Sequence, residues 1–279
     1  APPPPAPPPP APPPPAPPPP PAEDAVIAAA GDLCDSPTRC APTANLLDTI
    51  DPAGVLTLGD NVYPSGTLSE YDSYYRPNWG RQDARVYPSP GNKEYLTPNA
   101  QGYFDYFGAR APAPYYSYDL GSWHLISLNS EIPVGVGSAQ ETWLKADLAA
   151  HPAKCVLAYW HKPRFSSSSS GSSTRYAPLW NALHDAGAEI VLNGHDHYYE
   201  RFALQDPSGT ADSKGIRQFV VGTGGAGLGS FGAPIANSEL RQNTTYGVLK
   251  LTLHTGGYDW SFVPAGTGTF TDSGSGVCQ

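Results

Sequence analysis

The sequence predicts an α/β fold of two packed mixed β-sheets flanked by helices. Three observations carry that expectation. Apolar runs of strand length alternate with helical patterns early in the chain, as in layered α/β domains. Later in the chain further strand patterns follow with few helical ones. Five apolar runs stop at a polar motif, the sheet edge where α/β proteins gather their ligands.

The elements follow in order. Residues 25–30 (Ala-Val-Ile-Ala-Ala-Ala) read as a buried strand ending in Gly31-Asp32. Residues 43–50 read as a helix. Residues 55–58 run into Gly59-Asp60-Asn61-Val62-Tyr63, and residues 86–90 into Gly91-Asn92-Lys93-Glu94. Residues 123–129 alternate weakly and are a strand. Residues 141–150 are a helix with Trp143, Leu144 and Leu148 inward and Glu141, Lys145 and Asp147 facing water. Residues 155–160 run into His161-Lys162-Pro163. Residues 176–186 are a helix with Leu179, Trp180 and Leu183 inward. Residues 188–192 lead to Gly194-His195-Asp196-His197. Residues 218–222 and 248–254 are strands, and residues 258–263 return on the latter through Thr255-Gly256-Gly257.

The chain of 279 residues opens with four Ala-Pro-Pro-Pro-Pro repeats followed by Pro21 and Ala22. Proline fixes φ and donates no backbone hydrogen bond, so residues 1–22 predict a polyproline II rod or tail outside any core. Such a rod serves as a stiff spacer through a cell wall or away from a surface, or is inert. Residues 23–279 suffice for one large domain. No apolar run is long enough to span a membrane, and the Met-free chain starting at Ala reads as a mature, secreted form. A net charge of −9 argues against nucleic acid as a stable partner, but bound cations would still admit a phosphate ester. Four cysteines allow three pairings, of which Cys34–Cys40 and Cys155–Cys278 are expected. A cysteine metal site lacks any C-x-x-C pair. Asn243-Thr244-Thr245 fits a glycosylation sequon.

The chemistry sits at the strand ends. Asp32, Asp60, Asn92, His161, His195 and His197 offer oxygen and nitrogen donors, and Tyr63 adds a phenol. Strand alternation should send His195 and His197 to the same side. Any one of these alone reads as a turn or cap residue; together they point to a metal site. The glycine run 222–227 lacks the Lys-Ser/Thr of a P-loop and is not read as a nucleotide site. The serine tract 166–173 is expected to be flexible, either a lid at the site or a surface insertion. Tyr95, Tyr103, Phe104, Tyr106 and Phe107 are read as packing residues.

In this order the motifs Gly-Asp, Gly-Asp-x-x-Tyr, Gly-Asn-x-Glu, His-x-Pro and Gly-His-x-His resemble the calcineurin-like metallophosphoesterases. Tyr63, three residues after Asp60, narrows the likeness to the purple acid phosphatase branch, and by its length the chain is similar to the small, single-domain members. The resemblance implies a four-layer sandwich and a secreted phosphomonoesterase with two metal ions. Asp32, Asp60, Tyr63 and His197 would hold Fe(III). Asp60 as bridge, Asn92, His161 and His195 would hold Fe(II), Zn(II) or Mn(II). Water activated by the ions would be the nucleophile. A phosphodiesterase on the same centre, or a weakly catalytic phosphate-binding, wall-associated protein, are the alternatives. Lys93 departs from the family's usual His, and is expected to contact the phosphate of a small-molecule ester. Glu94, Glu200 and Arg201 are read as supporting residues.

Overall fold

The computed structural model describes residues 24–152 and 155–279, so the proline-rich segment lies outside the described residues. One sheet holds six strands in the order β13-β12-β11-β1-β2-β3. These are β1 (Ala25–Ala30), β2 (Gly54–Leu58), β3 (Val86–Ser89), β11 (Gly247–His254), β12 (Gly257–Pro264) and β13 (Ser273–Val277). The other sheet holds seven strands in the order β10-β8-β9-β7-β6-β5-β4. These are β4 (Tyr116–Leu120), β5 (Trp123–Ser127), β6 (Cys155–Tyr159), β7 (Ile190–Asn193), β8 (Tyr199–Phe202), β9 (Arg217–Val221) and β10 (Ser238–Gln242).

The two sheets face one another across a core that includes Ile27, Leu56, Leu125, Leu157, Phe219 and Leu251. Helix α1 (Ala41–Ile50) buries Ala44 and Leu47 against the first sheet. On the far face of the second sheet, α4 (Ala139–Ala150) and α5 (Ala177–Asp185) bury Leu144, Leu148, Leu179, Trp180 and Leu183 against Val156, Ala158 and Val191. This gives the expected layers: helix, sheet, sheet, helices. The central strands β1 and β2, with the edge strand β3 beside them, and β5, β6, β7 and β9 run parallel within their sheets. The interior strands are covered on both faces, which is why they read as unbroken apolar runs. Among the described residues no helix is long and apolar enough to cross a membrane.

Two short helices, α2 (Leu68–Glu70) and α3 (Gln101–Phe107), have no counterpart in the sequence pattern. Tyr103, Tyr106 and Phe107 of α3 are buried with Tyr71 and Tyr75, so these aromatics are core.

Two solvent-facing assignments in α4 are corrected. Glu141 is only 3% exposed. Ser138 caps the helix by accepting from the Glu141 amide at 3.2 Å, while the Glu141 carboxylate turns back to accept from the Gly137 amide at 3.1 Å. That reciprocal cap removes the side chain from water. Asp147 is half-buried because it accepts from Ser117 Oγ at 2.7 Å and faces His124 Nε2 at 2.8 Å.

Cys34 is bonded to Cys40 and Cys155 to Cys278, with Cα–Cα distances of 5.0 and 5.6 Å. Beside the second bridge, Glu189 is 3% exposed and accepts from the amides of Val156 at 2.5 Å and Gln279 at 3.2 Å. Burial pushes its carboxyl up to about 7. A carboxyl raised in this way favours the fold while it keeps its proton. Its contribution is complete below the ordinary value of 4.5 and is lost as pH rises through about 7. We expect it to remove about 3 kcal/mol of unfolding free energy across that window. Urea unfolding of Glu189→Gln should show a correspondingly flatter pH profile; a profile parallel to the parent would discharge Glu189 from this role.

Candidate metal centre

The seven predicted donors all lie beyond the carboxyl ends of β1, β2, β3, β6 and β7, on one rim shared by the two sheets. Glycines permit the crowding there. At Gly59, with φ +84°, a Cβ would lie 2.6 Å from His161 Cβ; at Gly91 it would lie 2.4 Å from Asp60 Oδ1. Asp32 (φ 58°), Asp60 (φ 49°) and His195 (φ 71°) themselves occupy the left-handed region, a strain typical of sites whose surroundings over-determine them.

The donor atoms form two overlapping sets. In the first, Tyr63 Oη lies 3.0 Å from Asp32 Oδ1, 3.3 Å from Asp60 Oδ2 and 3.2 Å from His197 Nε2. His197 Nε2 is 3.2 Å from Asp32 Oδ1. In the second, His161 Nε2 lies 3.3 Å from Asp60 Oδ1, 3.2 Å from Asn92 Oδ1 and 3.2 Å from His195 Nδ1. Asp60 turns one oxygen to each set. Ligands about 2.0–2.2 Å from one ion, at octahedral or tetrahedral angles, stand roughly 2.8–3.6 Å apart. The observed spacings fall in that range, so the residues fit a pair of cations. Asp32, Asp60 and His161 are also grouped tightly enough to hold an ion by themselves.

Backbone carbonyls orient the rings. His161 Nδ1 donates to Leu58 O at 2.8 Å, and His197 Nδ1 donates to Gly227 O at 2.7 Å. A carbonyl only accepts, so both rings keep a proton on Nδ1 and turn Nε2 to the site, the nitrogen that binds a metal once its own proton is displaced. Strand alternation does not place the two histidines of Gly-His-x-His. β7 ends at Asn193, and a tight turn, with Asp196 N donating to Gly194 O and Tyr198 N to Asp196 O, sends His195 to the second set and His197 to the first. The expectation that both leave the strand on one side is corrected accordingly.

The electrostatics ask for positive charge. Burial lowers the His161 imidazole, but Asp60 and Asp32 overcome it and raise the ring to about 10. Burial is likewise overcome at His197, where Asp32 raises the ring to about 9. Burial and the neighbouring His161 push His195 down to about 4. Burial would raise Asp32, but His197, His161 and His195 hold it at about 2. Burial, with Asp32 and Asp60, drives the Tyr63 phenol far above its ordinary value. Protons on imidazoles therefore stand in for cations between the two carboxylates. Among the described residues no lysine or arginine pairs with either one.

The supports were only partly legible. Glu94 accepts from the amides of Gly91 (2.6 Å), Asn61 (2.8 Å) and Asp60 (3.0 Å) and from Tyr71 Oη (3.1 Å). Lys93 donates its backbone N–H to Asp60 Oδ1 at 2.7 Å, and its ammonium sits 5.5 Å from the Tyr63 ring centroid. Arg201 pairs with Asp272 at 2.7 Å, away from the donors. The glycine run 222–227 lines the floor of the site: Gly224 N donates to Gly31 O at 3.0 Å and Ala226 N to Asp32 O at 2.8 Å. A Cβ on Gly222 would lie 2.1 Å from Asp196 O, so close backbone approach accounts for this glycine.

The serine tract departs from its expected flexibility. Ser166 and Ser167 are buried. Ser166 Oγ bonds the Asp196 carboxylate and lies 2.6 Å from Tyr198 Oη, and Ser167 N donates to Glu200 Oε2 at 2.9 Å. The sequence reading also missed a second histidine cluster, in which His124 sits between Asp119 at 2.9 Å and Asp147 at 2.8 Å and stacks on His151. Both ring nitrogens of His124 are thereby engaged by carboxylates.

Residues 21–199 match the calcineurin-like phosphoesterase family. Purple acid phosphatase 15 of Arabidopsis thaliana is 28% identical over 245 residues, covering 71% of this chain and 44% of its own length. Purple acid phosphatase 22 of the same plant is 33% identical over 149 residues, 49% of this chain and 34% of its own. The chain thus spans less than half the length of these relatives. The solved purple acid phosphatase PPD1 from yellow lupin seeds superposes with a TM-score of 0.74 at 19% identity, covering 91% of this chain and 54% of that one. GAP50, an inner membrane complex anchor of Plasmodium, superposes at 0.73 with 17% identity, covering 89% of this chain and 88% of that one. At such identities the structural likenesses establish the fold alone. The family match implies two divalent metal ions. With the motifs in order, the sandwich in place and this match over most of the chain, the protein belongs to the calcineurin-like phosphoesterase family of metal-dependent phosphoester hydrolases.

Proposed function

We propose that the chain is a secreted phosphomonoesterase of purple acid phosphatase type. The observation that carries the proposal is the pair of donor sets joined through Asp60. Asp32, Asp60, Tyr63 and His197 would hold a ferric ion; Asp60, Asn92, His161 and His195 would hold Fe(II), Zn(II) or Mn(II). The carboxylates and phenol of the first set favour the higher charge, while the neutral amide and imidazoles of the second suit a divalent ion. When bound, the two ions acidify water toward neutrality and offset the charge of in-line attack at phosphorus. The chain's own residues do the rest. Asp60 keeps the two sets in register. His161 and His197 are held by carbonyls with Nε2 inward. Lys93, whose ammonium lies 5.5 Å from the Tyr63 ring centroid, would donate to a phosphate oxygen. Two disulfides suit an oxidising, extracellular compartment.

Elemental analysis with a visible spectrum of protein purified without chelator tests the centre. We expect two ions per chain and a tyrosinate–iron band; no iron in iron-replete protein would sink the ferric assignment. Turnover of p-nitrophenyl phosphate against bis(p-nitrophenyl) phosphate tests the reaction. Hydrolysis of the diester alone would replace the monoesterase with a diesterase. Lys93 in place of the family's usual His favours one further reading, a weakly catalytic phosphate binder. Lys93→His should then raise turnover about a hundredfold or more, in the range of general-acid contributions. Unchanged turnover would show that the proton donor is not what is missing.

A further inference from the structure

A cleft of about 370 Å³ opens beside the donor sets. This volume lies within the roughly 300–1,000 Å³ of pockets that take small organic ligands. His195 belongs to its wall, as do Asp196, Lys162, Ser170, Ser172 and Thr174. The cleft is therefore continuous with the centre, and an ester whose phosphate sits there extends its alcohol along the serine tract. We infer that this cleft is a leaving-group subsite selective for a neutral, hydroxyl-rich alcohol such as a sugar. The inference rests on the phosphomonoesterase reading.

Four observations support it. First, the wall is built. Ser166 is tied to Asp196 and Tyr198, and Ser167 to Glu200. Farther along, Gly171 N donates to Ser168 O at 3.0 Å and Ser173 N to Arg164 O at 2.9 Å. These bonds anchor the base and backbone of the tract, from which the exposed hydroxyls of Ser170, Ser172 and Thr174 face the cleft. Second, the wall offers both donors and acceptors. Serine and threonine hydroxyls act as either, the Asp196 carboxylate accepts, and the Lys162 ammonium has N–H groups beyond the one given to Glu131 at 2.8 Å. Sugar hydroxyls need this mixture. Third, the charges disfavour a second phosphate. Asp196 lies in the wall and Glu131 already neutralises Lys162, so a polyanion would meet uncompensated carboxylate. Fourth, little flat apolar surface is on offer to an aryl group. Tyr176, the aromatic residue of the wall, is 3% exposed.

The test compares glucose 6-phosphate with n-hexyl phosphate on the metal-loaded protein. Both release a primary alkoxide, so the comparison isolates recognition. p-Nitrophenyl phosphate reports the centre itself. We expect kcat/KM to favour the sugar ester by about tenfold or more, the effect of a few net hydrogen bonds, carried in KM. Ser170→Trp, which fills the cleft without removing a hydrogen bond described above, should abolish the preference while two ions per chain remain. Thr174→Val, which keeps shape and removes one hydroxyl, should reduce it severalfold if the larger substitution misfolds. If p-nitrophenyl phosphate is hydrolysed but the two alkyl esters are used equally, or both variants keep the preference, the subsite is refuted and the enzyme reading stands. If none of the esters is hydrolysed, both fall.

Discussion

Asp60→Asn is expected to lower turnover at least about a thousandfold and to leave fewer than two ions per chain, because one carboxylate serves both donor sets. Its Oδ2 faces Tyr63 at 3.3 Å and its Oδ1 faces His161 at 3.3 Å. The amide keeps the shape and one acceptor oxygen but loses the charge, so it cannot offset the repulsion between two cations held close together. Even for single charges about 4 Å apart at an effective dielectric near 20, the lost attraction is about 4 kcal/mol. A factor of ten in rate corresponds to about 1.36 kcal/mol, so a thousandfold loss is a lower bound. Elemental analysis after gel filtration provides the readout that does not depend on turnover. If Asp60→Asn kept both ions and lost less than tenfold in kcat/KM, Asp60 would not be the bridge, and the two-set description would have to be abandoned.

Most of the donors were legible because they follow apolar runs that are buried on both faces. β1, β2, β6 and β7 sit in sheet interiors, where covered faces demand unbroken hydrophobic stretches. A run that stops at Gly-Asp or Gly-His therefore announces a sheet's carboxyl edge. Three of the four strands that escaped notice, β4, β10 and β13, lie at sheet edges. β10 (Ser-Glu-Leu-Arg-Gln) and β13 (Ser-Gly-Ser-Gly-Val) have one pairing partner and little to bury, so neither carries a hydrophobic period. The carbonyls of Leu58 and Gly227, which set the imidazole tautomers, have no side-chain signature at all. The serine tract misled for a related reason. Its composition is that of a linker, but Ser166 and Ser167 meet the half-buried Asp196 and the buried Glu200, which lie some thirty residues on. Partners that distant are set by tertiary structure and leave no trace in local composition.

Glu94 should prove nearly as costly to remove as the metal donors themselves. It is fully buried, and its two oxygens take four donors from three segments: the Asp60 and Asn61 amides after β2, the Gly91 amide after β3, and the Tyr71 hydroxyl. The carboxylate thus fastens the loop that carries Asp60 to the loop that carries Asn92. Only an acceptor with two oxygens can do this. Glu94→Ala strands four buried donors at about 1–3 kcal/mol each, so roughly 4–12 kcal/mol is lost from a total that is typically 5–15. That variant should be unfolded or barely folded. Glu94→Gln is the sharper experiment. It preserves volume and one acceptor oxygen but turns an NH₂ toward two donors, which should cost about 2–5 kcal/mol in urea unfolding. The variant should remain folded without denaturant while binding its second ion more weakly, because Asp60 and Asn92 would no longer be held in register. A merely structural residue would lose metal only as the fold is lost. If Glu94→Gln unfolded within about 1 kcal/mol of the parent and titrated with the same affinity for both ions, the site would be shown to hold its own geometry, and Glu94 would be a bystander.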